Sequence, residues 1–188
     1  MACELDFNGK LQLNAAFNAT APKDYASAFA CYASVQAYYP EAAWFMGYMA
    51  HRGLGTRRDD AKALLLLTAA RKTVYAGRAE QELSLLYTDS DTVPHDPVKA
   101  VVLSTEAAYW ASQPGSSCPW RSHDQIAADM RDEQYDLAAT AQKQFRQLNA
   151  DQKNAVLVQI DQVRIPRGFL LPDPSQPPPS PPMWSPCD

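Results

Sequence analysis

The sequence predicts an all-α fold: a short right-handed α/α solenoid of helical hairpins with a C-terminal helical cap and a Pro-rich tail. Three observations predict it. Among 188 residues there are 30 Ala, whereas Val and Ile together number only 12. Helices draw on Ala and Leu and strands on β-branched residues, so a sheet-dominated fold is disfavoured. Helical patterning runs from about Pro22 to Ile165, where Pro166 and Gly168 end it. Within that stretch similar residues recur at an offset of 37, a spacing that suits a helical hairpin repeated in a solenoid.

The elements follow in order. Residues 1–21 carry a turn signal at Asn8-Gly9 and few helical cues, and are read as an irregular N-terminal segment. Residues 22–112 hold the repeat. Ala42 maps onto Ala79, Asp59 onto Asp96, Lys62 onto Lys99, Ala63 onto Ala100, Leu66 onto Leu103 and Ala70 onto Ala107. Counting backwards sets Ala26, Phe29 and Ala33 under Ala63, Leu66 and Ala70. Gly47, Ser84, Ala63 and Ala100 are small enough for close helix approach, while Phe29, Leu66 and Leu103 supply bulk between paired helices. Gly53 and Gly55 suit a tight turn that needs positive φ. Asp59 and Asp96 stand where a carboxylate caps exposed amides, and Pro94 and Pro97 shape the second turn.

Residues 113–171 are expected to close the open end of the array. Pro114 to Pro119 reads as a loop. Residues 122–148 form one long helix or two shorter ones, anchored by Ile126, Met130, Leu137 and Phe145. Asn149 caps a last helix carrying Ala155, Val156, Val158, Ile160 and Val163. Residues 172–188 hold 8 of the 15 prolines, favour polyproline II and build no core alone.

The run Ala42-Ala43-Trp44-Phe45-Met46-Gly47, followed by Gly53-Leu54-Gly55, Asp59 and Lys62-Ala63, resembles the Sel-one-like repeat of the tetratricopeptide superfamily. A second copy carries Ala79, Leu83, Tyr87, Val93, Asp96 and Lys99-Ala100. It departs with Ser84 at the first glycine and with Ser90 and Thr92 at the turn glycines, so an altered turn is expected there. The resemblance covers residues 22–112 and implies an adaptor or scaffold that binds another protein. Some members carry a disulfide inside each hairpin. This chain lacks that regular pairing, so the enzyme-like activities of that branch are not carried over.

Catalytic signatures are missing from the sequence. There is no G-x-S-x-G elbow, H-E-x-x-H helix or phosphate-binding lysine loop. The repeat turn accounts for Gly53-Leu54-Gly55. His51, His95 and His123 show no ligand spacing; His51 near a helix end and His95 in a turn are expected to be solvated. Asp89 and Asp91 read as polar turn residues. No catalytic residue, metal site or cofactor is therefore expected. A net charge of −4 without a dense basic patch disfavours nucleic acid as a partner. No apolar run approaches the ~20 residues of a membrane span.

Cys3, Cys31, Cys118 and Cys187 include no C-x-x-C pair and admit three disulfide connectivities. Their usage points to an oxidising compartment. A Cys118–Cys187 bridge would hold the tail to the body, with Met183 and Trp184 as apolar anchors and Cys3–Cys31 as the other bridge. Ala2-Cys3-Glu4 matches what cleavage of a bacterial lipoprotein leader leaves behind, a reading that would put a lipid anchor at Cys3 and the protein in the periplasm or envelope; the alternative is that Cys3 is simply an N-terminal cysteine.

The functional lead is a stripe on the first helix of the first repeat. Glu41, Phe45, Tyr48 and Arg52 share one face at helical spacing. Their counterparts are Arg78, Glu82, Leu85 and Asp89. First helices line the concave face of such solenoids, and aromatics beside Arg are common contact chemistry. Phe45, Tyr48, Arg52, Glu82, Leu85 and Asp89 are therefore the expected partner-binding residues. The competing reading packs Phe45 and Tyr48 under the N-terminal segment or the tail. The favoured partner is a toxic effector of contact-dependent or type VI secretion, with this chain as its immunity protein. The alternatives are an adaptor in an envelope or signalling assembly and, among enzymes, a cell-wall hydrolase.

Overall fold

The computed structural model describes residues 25–73, 75–112, 137–167 and 170–171. These form seven helices: α1 (Tyr25–Val35), α2 (Ala42–Arg52), α3 (Asp60–Ala70), α4 (Ala76–Asp89), α5 (Pro97–Ser112), α6 (Leu137–Gln147) and α7 (Ala150–Gln162). The described residues contain no strand. Helices α2 with α3 and α4 with α5 pack as successive hairpins, and α6 and α7 pack on α5. The expected turn at Asn8-Gly9, the loop 114–119, Ile126, Met130, His123 and the tail lie outside the described residues.

Local chemistry sets the helix boundaries. Gly53 ends α2 at φ +66° and Gly55 follows at φ +68°, the left-handed region that glycine enters without a Cβ penalty. The Asp59 carboxylate accepts the Lys62 amide at 2.9 Å and starts α3; Asp96 accepts the Lys99 amide at 2.9 Å and starts α5, with Pro97 as its first residue. Asn149 and Gln152 form a reciprocal capping box at α7.

The offset of 37 is visible in the backbone. The Asp59 amide donates to the Ala50 carbonyl at 3.0 Å, and the Asp96 amide donates to the Tyr87 carbonyl at 3.2 Å. Both hairpin turns thus close on the same bond. The second does so without glycine. Ser90 adopts an extended conformation (φ −80°, ψ 138°), and its hydroxyl accepts the Thr92 and Val93 amides at 3.1 and 3.0 Å. The altered turn expected from Ser90 and Thr92 is therefore built by a side chain in place of positive φ.

Packing follows the same register. Ala63, Leu66 and Ala70 of α3 and Ala100, Leu103 and Ala107 of α5 are all buried. Residues 100–108 of α5 are buried on every side, as expected of a helix with neighbours on both flanks. Val101 and Val102 face a second core made by Ala141, Phe145, Leu148, Val156 and Ile160 of the cap. A Cβ added at Gly47 would lie 2.7 Å from Leu67 Cγ and 3.3 Å from Leu66 Cβ. Gly47→Leu is therefore expected to overpack the first hairpin and cost about 1–3 kcal/mol. Thermal unfolding of the variant at the parental temperature would contradict this contact.

Two expectations require correction. The backward extension of the repeat does not hold: Ala26 and Ala33 are exposed, and α1 instead buries Ala28, Tyr32 and Val35. Among the described elements α1 packs chiefly on α2, so one stripe suffices to seat it. His51 is buried, not solvated.

Candidate functional site: the α2–α4 face

Helices α2 and α4 lie side by side as the first helices of the two hairpins. Burial across this face is graded and repeats at the offset of 37. Phe45 and its counterpart Glu82 are buried, Tyr48 and Leu85 are half-buried, and Arg52 and Asp89 are exposed. The six expected contact residues therefore occupy three depths of one face.

Phe45 and Glu82 are corrected as direct contact residues. The Phe45 ring stacks on Tyr32 at 4.5 Å and meets the edges of Trp44 and Tyr75 at 4.7 and 5.1 Å. It is a core aromatic because α1 covers its outer face. The Glu82 side chain is fully buried, and its Oε1 accepts from Arg52 at 3.2 Å. Glu82 thus positions the cation instead of meeting a partner. Arg52 also lies over the Tyr48 ring, 5.1 Å from its centroid, a cation–π geometry that further limits its rotamers.

The sequence reading gave no site role to the aromatic platform beneath this face. Trp44 stacks on Tyr75 at 5.1 Å and on Tyr48 at 5.7 Å, while Arg78 sits 5.4 Å from the Trp44 ring. The 44–48 spacing marked one half of this stack. Tyr75, at the N-cap of α4, had no periodic signal. Such a platform holds Tyr48 and Arg52 in a fixed geometry, which lowers the ordering cost of binding.

A second cluster lies at the hairpin turns. Asp60, buried at the start of α3, accepts from Arg58 through both carboxylate oxygens, from the Ser90 hydroxyl at 2.8 Å, and bonds His51 Nδ1 at 2.9 Å. Burial pushes its carboxyl upward, but these hydrogen bonds outweigh burial and bring it down to about 2. Ser, His and Asp are together here, yet the serine hydroxyl is bonded to the carboxylate and not to the imidazole. A nucleophilic triad needs the imidazole as base to the hydroxyl. The cluster is wired as a clamp between the two turns.

His95 is exposed, as expected, and borders a cavity of about 240 Å³ between the second turn and the cap, lined also by Tyr87, Gln144, Gln147 and Gln152. The cavity lining carries no carboxylate. Among the described residues no three His, Cys, Asp or Glu side chains converge to hold a metal, and no helix is long and apolar enough to cross a membrane. Cys31 is disulfide-bonded; Cys3, Cys118 and Cys187 lie outside the described residues, as does the pairing expected among them.

No curated protein and no solved structure shows significant similarity to the chain. The Sel1 repeat family model matches residues 40–72 and again residues 77–109. The two matches begin 37 residues apart, the first just ahead of α2 and the second at the start of α4, and leave α1 outside the repeat, in agreement with its different packing register. These two matched segments, with their shared turn bond and shared burial pattern, are two Sel1 repeats within the chain.

Proposed function

We propose that this chain is a protein-binding module that engages its partner through the α2–α4 face, with Tyr48, Arg52, Leu85 and Asp89 at the contact and Phe45 and Glu82 holding them in place. The Sel1 repeats support a protein-interaction role. The observation that carries the choice of face is the graded burial of the paired positions, which leaves an aromatic ring and a cation seated on a rigid stack. Rigid aromatic and Arg groups over a packed base are the usual make-up of interface hot spots.

The specific form we advance is an exported immunity protein that neutralises a toxic effector in the periplasm or envelope; a lipid anchor on the Cys3 sulfur would stand in place of a Cys3–Cys31 bridge, because that sulfur forms one or the other. The bonded state of Cys31 supports an oxidising setting. An assembly adaptor would use the same face without inhibiting what it binds.

The test is affinity capture with the tagged full chain from its native cells, beside a Tyr48→Ala/Leu85→Ala variant whose unfolding temperature is measured in parallel. The parent is expected to retain one protein in stoichiometric amount. The folded variant is expected to bind it about 30-fold or more weaker, matching a loss of about 2 kcal/mol. Equal retention by the folded variant would place the interface elsewhere. If the captured protein is a toxin, cells carrying the variant should lose protection; retained protection would refute the immunity form.

A further inference from the structure

A buried charge cluster joins the two repeats away from the α2–α4 contact residues. Arg71, at the C-terminal end of α3, reaches Glu80 of α4 at 3.2 Å and Glu106 of α5 at 2.8 Å. Both carboxyl groups are buried, at 5% and 8% side-chain exposure. One guanidinium, on a side chain 39% exposed, thus faces two buried carboxylates. Two carboxyl groups so close, with one cation between them, resist ionising together.

We propose that Arg71, Glu80 and Glu106 form a pH-sensitive joint between the two hairpins, in which one proton shared by the carboxyl pair keeps α3, α4 and α5 docked and its loss loosens them. Glu80 Oε2 is buried and has no hydrogen-bond partner among the described residues, so a negative charge there would lack a compensating donor. Burial, and then the charge of Glu106, push the Glu80 carboxyl up to about 7 against the pull of Arg71. Burial also raises Glu106, while Arg71 and the bond to Glu80 hold it lower. The pair therefore holds a proton above the ordinary glutamate range. The charged groups acting on the pair from the packed elements are Arg71 from α3, Glu80 from α4 and Glu106 from α5.

The sign follows from linkage. A folded-state value raised above the unfolded one gives stability that is complete below the ordinary glutamate range and lost as pH rises through about 7. The joint ties α4 to the preceding hairpin, so its loosening changes the spacing of the helices that form the binding face.

The experiment measures denaturant unfolding of the full chain from pH 5 to pH 8 for the parent and for Glu80→Gln, which keeps the shape and removes the titration. The parental unfolding constant is expected to rise about 40-fold between pH 5 and pH 7 beyond any rise in the variant. Histidine titration is common to both chains and cancels in the difference. The variant is expected to be the more stable of the two at pH 8. Parallel pH profiles would overturn the proposal. A carboxyl carbon NMR titration of the folded parent provides the second reading. Glutamate resonances with midpoints near neutrality support the joint, and midpoints all below pH 5.5 defeat it, whether or not the variant folds.

Discussion

Gly55→Ala is expected to destabilise the chain by about 3–5 kcal/mol, the sum of a left-handed backbone penalty and an overpacked contact. Gly55 has φ +68°, and a Cβ there would lie 2.1 Å from the Tyr25 carbonyl oxygen and 2.5 Å from the Ala26 nitrogen. These are backbone atoms at the start of α1, so no side-chain rotation relieves the clash. The helix itself must move off the turn. Gly53→Ala is the internal control. Its φ is +66°, but its nearest neighbour, the Arg58 nitrogen, is 3.5 Å away. That change should cost only about 1–2 kcal/mol, the conformational part alone. Urea unfolding of both variants measures the difference. Equal losses would mean that α1 does not rest on Gly55. A domain of this size has about 5–15 kcal/mol of total stability, so Gly55→Ala would leave a marginal fold.

Asp60→Ala is expected to cost about 2–4 kcal/mol, because it strips three partners at once and leaves His51 and Ser90 without their buried acceptor. The figure sits low in the range for broken buried pairs because the Arg58 side chain is 51% exposed and regains water. The pH dependence gives a second signature. The Asp60 carboxyl is held down at about 2 against an ordinary 3.8. Its contribution is complete above the ordinary value and is lost as pH falls through about 2. Asp60→Ala should therefore lower stability at pH 5 and flatten the decline between pH 4 and pH 2. Acid titration followed by far-ultraviolet circular dichroism checks both. An unchanged acid limb would show that Asp60 is not the group being protonated.

Much of the fold was legible because helical hairpins repeat their packing. The Asp59/Asp96, Lys62-Ala63/Lys99-Ala100 and Leu66/Leu103 pairs located the second helix of each hairpin, and the structure places all of them in equivalent positions. The backward extension failed because an Ala-rich helix offers several small-residue stripes. Sequence alone does not say which stripe of Ala26, Ala28, Ala30 and Ala33 meets a neighbour.

The binding face was legible as a set of paired positions but not in depth. Helical spacing puts Phe45, Tyr48 and Arg52 on one side. Only the seat of α1 decides that Tyr32 covers Phe45, and only the approach of α4 decides that Glu82 turns inward to Arg52. His51 and Asp60 were missed as a pair for a similar reason. They stand 9 residues apart across a turn whose path no periodicity describes.

The replacement of a turn glycine by Ser90 has a consequence for how the molecule comes apart. A turn glycine has no side chain with which to hydrogen-bond a neighbouring hairpin. The Ser90 hydroxyl closes the second hairpin and, in the same position, donates to Asp60 at the head of the first hairpin's second helix. In a nearest-neighbour description of repeat arrays, this bond belongs to the coupling between units and not to the intrinsic stability of either. Arg52–Glu82 and Arg71–Glu80–Glu106 belong to the same coupling. With only two repeats, such coupling disfavours the half-folded species that longer arrays populate, because each hairpin loses the Ser90–Asp60 bond and its share of the ion pairs once the other has left. The substitution that makes the second repeat a poorer match to its family's turn thus adds a bond to the coupling that joins the pair.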